Sequence, residues 1–160
     1  MQRSKEKITF NYRYLSVGII TWALCLLVYS QSPLQDNLLN LLKTIQQKSS
    51  LNESEKLKRL YALKNKADLS NRPKDSAYAK ILIEIASFEL NIHKDYTRSI
   101  LSTNEALQIN TSGNPAASKK DAVIASLNLA YEYEDLGILS KALTYYDTVL
   151  QLSKGSRELY

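Results

Sequence analysis

The sequence predicts an all-α protein in which helices fold back on one another as antiparallel pairs. Apolar residues recur at spacings of three and four over most of the chain after residue 34, as they do on one face of a helix. Only four glycines and three prolines occur in 160 residues, which is few for the many turns of an all-β fold. Gly137 stands between two helical patterns with no long loop beside it, so these two helices must run antiparallel.

The first 30 residues form a predicted export segment. Residues 1–16 are polar and basic, and residues 17–30 are a stretch of 14 residues without a charge. This order is typical of a secretory signal peptide. The alternative is an uncleaved membrane anchor over residues 14–30, slightly short of the roughly 20 residues that span a bilayer. Because the positive charges precede the apolar stretch, both alternatives put the rest of the chain outside the cytoplasm, either periplasmic or membrane-anchored.

Residues 31–74 predict a degenerate lead-in of two helices. The first pattern places four apolar residues on one face, namely Leu38, Leu41, Leu42 and Ile45. The second pattern does the same with Leu57, Leu60, Tyr61 and Ala67. Each stripe is typical of a helix that buries one face against a neighbour.

Residues 114–160 carry the clearest helix pair, with the last residues as the start of a possible further repeat. Asn114 with Pro115, or a capping box of Ser118 and Asp121, can begin the first helix. Gly137 ends it, since a helix often closes with a residue of positive φ. The second helix has a regular apolar stripe, formed by Leu139, Ala142, Leu143, Tyr146, Val149 and Leu150.

Residues 75–113 repeat this pattern more weakly at an offset of 43 residues. Ala86, Ser87 and Leu90 correspond to Leu129, Ala130 and Tyr133 of the later copy. The second-helix stripe is matched position by position by Tyr96, Ser99, Ile100, Thr103, Ala106 and Leu107. Lys94 stands where the glycine of the later copy falls, so this copy is the degenerate one.

The pattern resembles the tetratricopeptide repeat, a helix–turn–helix unit of about 34 residues. The matching positions are Leu129, Ala130, Tyr133, Gly137, Ala142, Tyr146 and Leu150. Ser126 and Lys154 replace the Trp and Pro of the signature, and the resemblance covers residues 76–153. It implies a short right-handed α-solenoid of about six helices. Exported repeat proteins of this kind are common in Bacteroidetes, where they often precede a sensor kinase or a transcriptional regulator.

The resemblance also implies where a partner would bind. The concave side of such a solenoid is lined by side chains of the first helix of each pair. In the earlier copy these are Ile81, Glu84, Phe88, Asn91 and Ile92, and in the later copy Ile124, Leu127, Tyr131, Glu134 and Asp135. Beside them Glu132, Glu134 and Asp135 form an acidic cluster that we expect to be a solvated helix face.

Composition argues against catalysis, metal binding and nucleic-acid binding. His93 is the only histidine and Cys25 the only cysteine, so neither a Ser-His-Asp set nor a zinc site can be assembled. With four glycines we expect no phosphate-binding loop and no cofactor. Residues 1–30 contribute +3 of the net charge of +5, and a body of +2 lacks the basic face of a nucleic-acid binder.

These observations predict a non-enzymatic scaffold outside the cytoplasm that binds a protein or peptide partner. The alternative is the input region of a signalling protein, a histidine kinase or a transcriptional regulator, severed from its effector. The adjacent coding sequence would separate the two by continuing in frame or not. We also expect possible self-association, because the last helix keeps an apolar edge along its Leu139–Leu150 stripe.

Overall fold

The computed structural model describes residues 32–70, 73–113 and 117–154. The predicted signal or anchor segment of residues 1–30 lies outside these ranges. The chain divides into two compact units, Met1–Leu34 and Gln35–Tyr160, and all packing described below belongs to the second. The described ranges contain helices and no strand, which confirms the all-α prediction.

Six α-helices follow one another in the described ranges. Their bounds are α1 Ser32–Gln47, α2 Glu53–Leu69, α3 Ser76–Phe88, α4 Tyr96–Thr111, α5 Lys119–Asp135 and α6 Leu139–Ser153. After Phe88, α3 continues as a π-helical turn, Glu89–His93, that the periodicity did not predict. None of the helices in these ranges has the length and apolar character needed to cross a membrane.

Four of the helices begin at a side chain that caps the backbone. In each case the side-chain oxygen accepts a hydrogen bond from a backbone N–H three residues later, and the capping residues are Asn52, Asp75, Asp95 and Ser118. Such a cap typically contributes about 1 kcal/mol. At α5 the cap is Ser118, whose Oγ accepts a hydrogen bond from the Asp121 N–H at 3.2 Å. The predicted capping box is only half formed, because the Ser118 N–H donates to Asn110 Oδ1 at 2.9 Å. The alternative start, Asn114 with Pro115, lies outside the described residues.

A residue of positive φ follows both α5 and the π-helical turn after α3. Gly137 has a φ of 72°, and the next residue, Ile138, donates its N–H to the Tyr133 carbonyl at 2.8 Å. Lys94 has a φ of 53° and is the one non-glycine residue with positive φ in the described ranges. Both copies thus reverse through a residue of positive φ, but the turn at Lys94 is one residue wider, since the Asp95 N–H donates to the Glu89 carbonyl at 3.2 Å.

The helices α4 and α5 run antiparallel and are joined by two side-chain hydrogen bonds. Between α4 and α5, the Tyr96 hydroxyl lies 3.5 Å from Asp135 Oδ2, and Ser99 Oγ donates to Glu132 Oε1 at 2.6 Å. Moving three residues forward along α4, from Tyr96 to Ser99, corresponds to moving three residues back along α5, from Asp135 to Glu132. From α2 onward each helix packs on the next, and α3 also contacts α5.

The core consists of two clusters of buried side chains. The larger joins α1 to α4 and is centred on Leu60, Ile81, Leu82 and Ile85, with Leu38 and Leu42 of α1 at its edge. The smaller holds Leu129, Tyr133 and Ala142 of α5 and α6. Around it the rings of Tyr133 and Tyr145 stack with centroids 5.6 Å apart. Ala130 and Ala142, small residues of the last two helices, are both buried.

Only part of the apolar stripe predicted on α6 packs against the neighbouring helices. Within α6 only Ala142 is fully buried, and Tyr145 and Tyr146 are half-buried. Leu139, Leu143 and Leu150 are exposed, with 62%, 64% and 62% of their surface accessible. The helix is rotated so that Ala142 and Tyr145 point at the core, because α5 and α4 meet it from that side.

Candidate functional site

The groove residues predicted on α3 are largely engaged inside the molecule. Ile81 is completely buried in the larger core cluster, so its side chain is not at the surface. Glu84 is half-buried and accepts a hydrogen bond from Gln46 Nε2 of α1 at 2.7 Å. Phe88 and Ile92 pack against the same cluster.

Only Asn91 of the predicted α3 set is well exposed, and its Nδ2 lies 3.4 Å from Ser87 Oγ. The lead-in helix α1 thus occupies part of the surface that the resemblance assigned to a partner.

The residues predicted on α5 lie at the surface. Tyr131 is 57% exposed, Ile124 is exposed and Leu127 is half-buried. The ring of Tyr131 meets the edge of the Tyr146 ring, with centroids 6.0 Å apart and planes at 80°. Glu134 is exposed and accepts a hydrogen bond from the Tyr146 hydroxyl at 2.6 Å. The exposed part of the predicted site is therefore continuous with α6.

This candidate site, the α5–α6 surface, consists of Tyr131, Glu134, Leu139, Leu143, Tyr146 and Leu150. Leu143 and Leu150 lie three residues before and four after Tyr146, so they flank its ring on the helix surface. Ten large hydrophobic residues are exposed in the described ranges, and seven of them fall within residues 124–150. Exposed apolar surface is thus concentrated at this end of the second unit. The predicted groove lay on α3 and α5, whereas the apolar stripe of α6 was expected to support self-association, so the α5–α6 surface joins part of each prediction.

The hydroxyl of Tyr146 is held as a hydrogen-bond donor. Its bond to Glu134, with a smaller contribution from partial burial, raises the pKa of Tyr146 to about 12. The Tyr146 side chain therefore stays neutral at physiological pH, with the carboxyl group of Glu134 beside it at the edge of the apolar surface. Asp135, one residue on, is exposed and adds a second carboxylate at this edge.

The prediction that Glu132, Glu134 and Asp135 form a solvated acidic cluster is wrong for Glu132. Its side chain is only 3% exposed, because α5 turns this residue toward α4, where Ser99 Oγ donates to its Oε1 at 2.6 Å. The second oxygen, Oε2, has no hydrogen-bond partner among the described residues. Burial raises the pKa of Glu132 to about 6, against the opposing effect of the Ser99 hydrogen bond. Glu134 and Asp135 are exposed as predicted.

A second buried glutamate occupies the equivalent position 43 residues earlier. Glu89 is also almost fully buried, accepts a hydrogen bond from the Tyr61 hydroxyl at 2.6 Å and lies 3.6 Å from the Arg98 guanidinium. Both glutamates reach the helix that precedes their own pair, α2 or α4. Sequence reasoning missed them, although a glutamate recurring at the repeat offset was a usable signal. They tie successive helix pairs together.

The described residues hold no cluster of three or more His, Cys, Asp and Glu side chains that could bind a metal ion. His93 is exposed at the end of the π-helical turn. Comparison of the chain with protein-family models, with curated proteins and with solved structures finds no match.

Proposed function

We propose that this protein is a non-enzymatic scaffold that binds a protein or peptide partner through the α5–α6 surface. Its helices would form a short right-handed α-solenoid of the tetratricopeptide type. Residues 1–30 would direct it out of the cytoplasm, either as a cleaved signal peptide or as an anchor.

The solenoid proposal is supported by the order of helix contacts. α5 packs on α4 before it and α6 after it, and it also reaches α3, the first helix of the preceding pair. Helices that contact only near neighbours in this way are typical of repeat architectures. The positive φ at both Lys94 and Gly137 adds support, since both helix pairs reverse through such a residue.

The binding proposal rests on the concentration of exposed apolar side chains on the α5–α6 surface. Burying a leucine that is now exposed contributes roughly 1.5–3 kcal/mol, so several together can hold a partner. Contiguous apolar surface rimmed by polar groups is typical of an interaction site. Glu134 and Asp135 form an acidic rim here, and we therefore expect an apolar partner segment with lysine or arginine beside it.

Affinity capture with the full chain tests this proposal. Tyr131→Ala combined with Leu143→Glu should abolish recovery of a specific protein partner. Leu101→Glu on α4 is a matched control, because Leu101 is 65% exposed and Leu143 is 64% exposed. Recovery of the same partners by all three proteins would show that the α5–α6 surface is not the binding site.

The location is tested separately. A reporter enzyme that is active only outside the cytoplasm, fused after residue 154, should be active. Replacing residues 17–30 with a polar segment should abolish that activity. An active fusion without residues 17–30 would contradict the export role.

A further inference from the structure

We propose that the exposed leucine face of α6, formed by Leu139, Leu143 and Leu150, docks an amphipathic helix that runs antiparallel to α6. The docked helix would lie on α6 as α5 lies on α4. This inference rests on the proposed function and deepens it, since it names the kind of partner that the α5–α6 surface takes.

The internal repeat provides a covered copy of the same face. At the offset of 43 residues, Leu139, Leu143 and Leu150 correspond to Tyr96, Ile100 and Leu107 of α4, and Tyr146 corresponds to Thr103. On α4 these positions are covered: Thr103 is fully buried, and Ile100 and Leu107 pack against the cluster of Leu129, Tyr133 and Ala142. On α6 the three leucines are open.

The helix that covers this face on α4 is α5, and its direction is known. Ser99 and Tyr96 of α4 meet Glu132 and Asp135 of α5 in an antiparallel register. The same register on α6 places the end of the docked helix beside Leu139.

The spacing of the residues on the leucine face also indicates that its occupant is a helix. Leu139, Leu143, Tyr146 and Leu150 are separated by four, three and four residues, which is the spacing of the seam between two packed helices. Such a seam is about one side chain wide, so it matches one helix in a shallow groove.

The chemistry of the docked helix differs from that of α5 at two positions. On α4 the hydroxyls of Ser99 and Tyr96 face the carboxyl groups of Glu132 and Asp135. On α6 the equivalent residues are Ala142 and Leu139, which have no donor. A carboxylate at the position of Glu132 would be buried without a hydrogen-bond partner, and one at the position of Asp135, which is exposed on α5, would meet the leucine side chain in place of a hydroxyl. The occupant should therefore resemble α5 with apolar residues in place of those two acids.

Binding of two synthetic peptides to the full chain tests this inference. Both have the sequence of residues 118–136 and are held helical by the same cross-link between positions 120 and 124, which α5 leaves exposed. One is unchanged, and the other carries Glu132→Ala and Asp135→Leu. We expect the changed peptide to bind at least about ten-fold more tightly, measured by fluorescence anisotropy. Leu143→Glu or Leu150→Glu in the chain should abolish binding, and Leu101→Glu should leave it unaltered.

Three outcomes would overturn the inference. The unchanged peptide could bind as well as the changed one, or Leu143→Glu and Leu150→Glu could leave binding intact. Alternatively, sedimentation could show a dimer that Leu143→Glu dissociates, with no peptide bound, which would make a second copy the occupant.

The inference and the proposed function can fail independently. Partner capture that depends on Tyr131 and Leu143 without peptide binding would leave the proposed function standing and overturn this inference. Peptide binding without any captured partner would support this inference and count against the proposed function.

Discussion

At the scale of single residues, the two buried glutamates, Glu89 and Glu132, differ in the groups that contact their carboxyl oxygens. Glu89 has the Tyr61 hydroxyl and the Arg98 guanidinium as neighbours. Glu132 has the Ser99 hydroxyl alone and no counter-charge, although the Oε2 atoms of both glutamates are without a hydrogen-bond partner in the described part of the chain. Ionising a buried carboxyl group without a counter-charge destabilises the folded state. Glu132 is therefore the weaker of the two links between helix pairs at neutral pH.

We predict that Glu132→Gln stabilises the protein at about pH 8 and leaves it little changed at about pH 4. The pKa of Glu132 is raised from 4.5 to about 6 in the folded chain. A raised pKa means that the folded state binds the proton more tightly, so this contribution to stability is present below about pH 4.5 and lost as the pH rises through about 6. The loss is on the order of 2 kcal/mol. Urea unfolding of both proteins across this pH range measures it.

Glu134→Gln is the matched control, since this residue is exposed two positions away and its amide oxygen can still accept from Tyr146. The loss of stability between about pH 4.5 and 6 should persist in this variant, because Glu132 is unchanged. Equal pH profiles for Glu132→Gln and the unmodified chain would contradict the prediction.

Lys94→Gly should raise the free energy of unfolding by about 0.5–1 kcal/mol. Lys94 holds a φ of 53°, a conformation that costs a residue with a Cβ about 1 kcal/mol and that glycine adopts readily. Thermal or urea unfolding measures the change. Lys94→Ala keeps the strain and should give no comparable gain, and a lower midpoint for Lys94→Gly would contradict this account.

At the scale of one element, α6 reverses the ordinary expectation that the larger side chain of a helix is the core residue. Ala142 is 2% exposed and Leu143 is 64% exposed. Ala142→Leu should therefore destabilise the protein by about 1–3 kcal/mol through overpacking against Leu129 and Tyr133. Leu143→Ala should alter stability by less than about 0.5 kcal/mol.

Urea midpoints of the two variants at one pH provide the comparison. A large loss for Leu143→Ala with a tolerated Ala142→Leu would mean that α6 is rotated differently. The same experiment bears on docking, because a leucine that is free in the isolated chain contributes to binding and not to folding.

At the scale of the whole second unit, we expect stability to fall from the middle toward α6. The larger core cluster is centred on Leu60, Ile81, Leu82 and Ile85, whereas α6 has one fully buried residue, Ala142. A helix covered on one side only can open without the rest. Amide hydrogen exchange should be slowest in α3 and much faster in α6. Equal protection of the two helices would contradict this gradient.

Much of the local structure could be predicted from the sequence. Ser118 begins α5 and Gly137 ends it, because capping and positive φ depend on the residue itself and on its nearest neighbours. The antiparallel course of α5 and α6 followed from the short connection between them. The acidic residues Glu134 and Asp135 were correctly placed at the surface for the same local reason, since they lie on the polar side of their helix.

The division of apolar residues between core and surface was decided by the tertiary structure. Periodicity defines a broad apolar face on a helix but not the part of it that neighbouring helices cover. On α6 the neighbours cover Ala142 and leave Leu143 open, and on α3 they enclose Ile81, which was expected in a groove. The prediction that Glu132 is solvated was wrong for the same reason. Its burial depends on the packing of α4, where its partner Ser99 lies 33 residues earlier in the sequence. The sequence alone thus determined where α5 ends and where the chain reverses at Gly137, because these features are local, and only the packing of the helices determined which side chains are left for a partner.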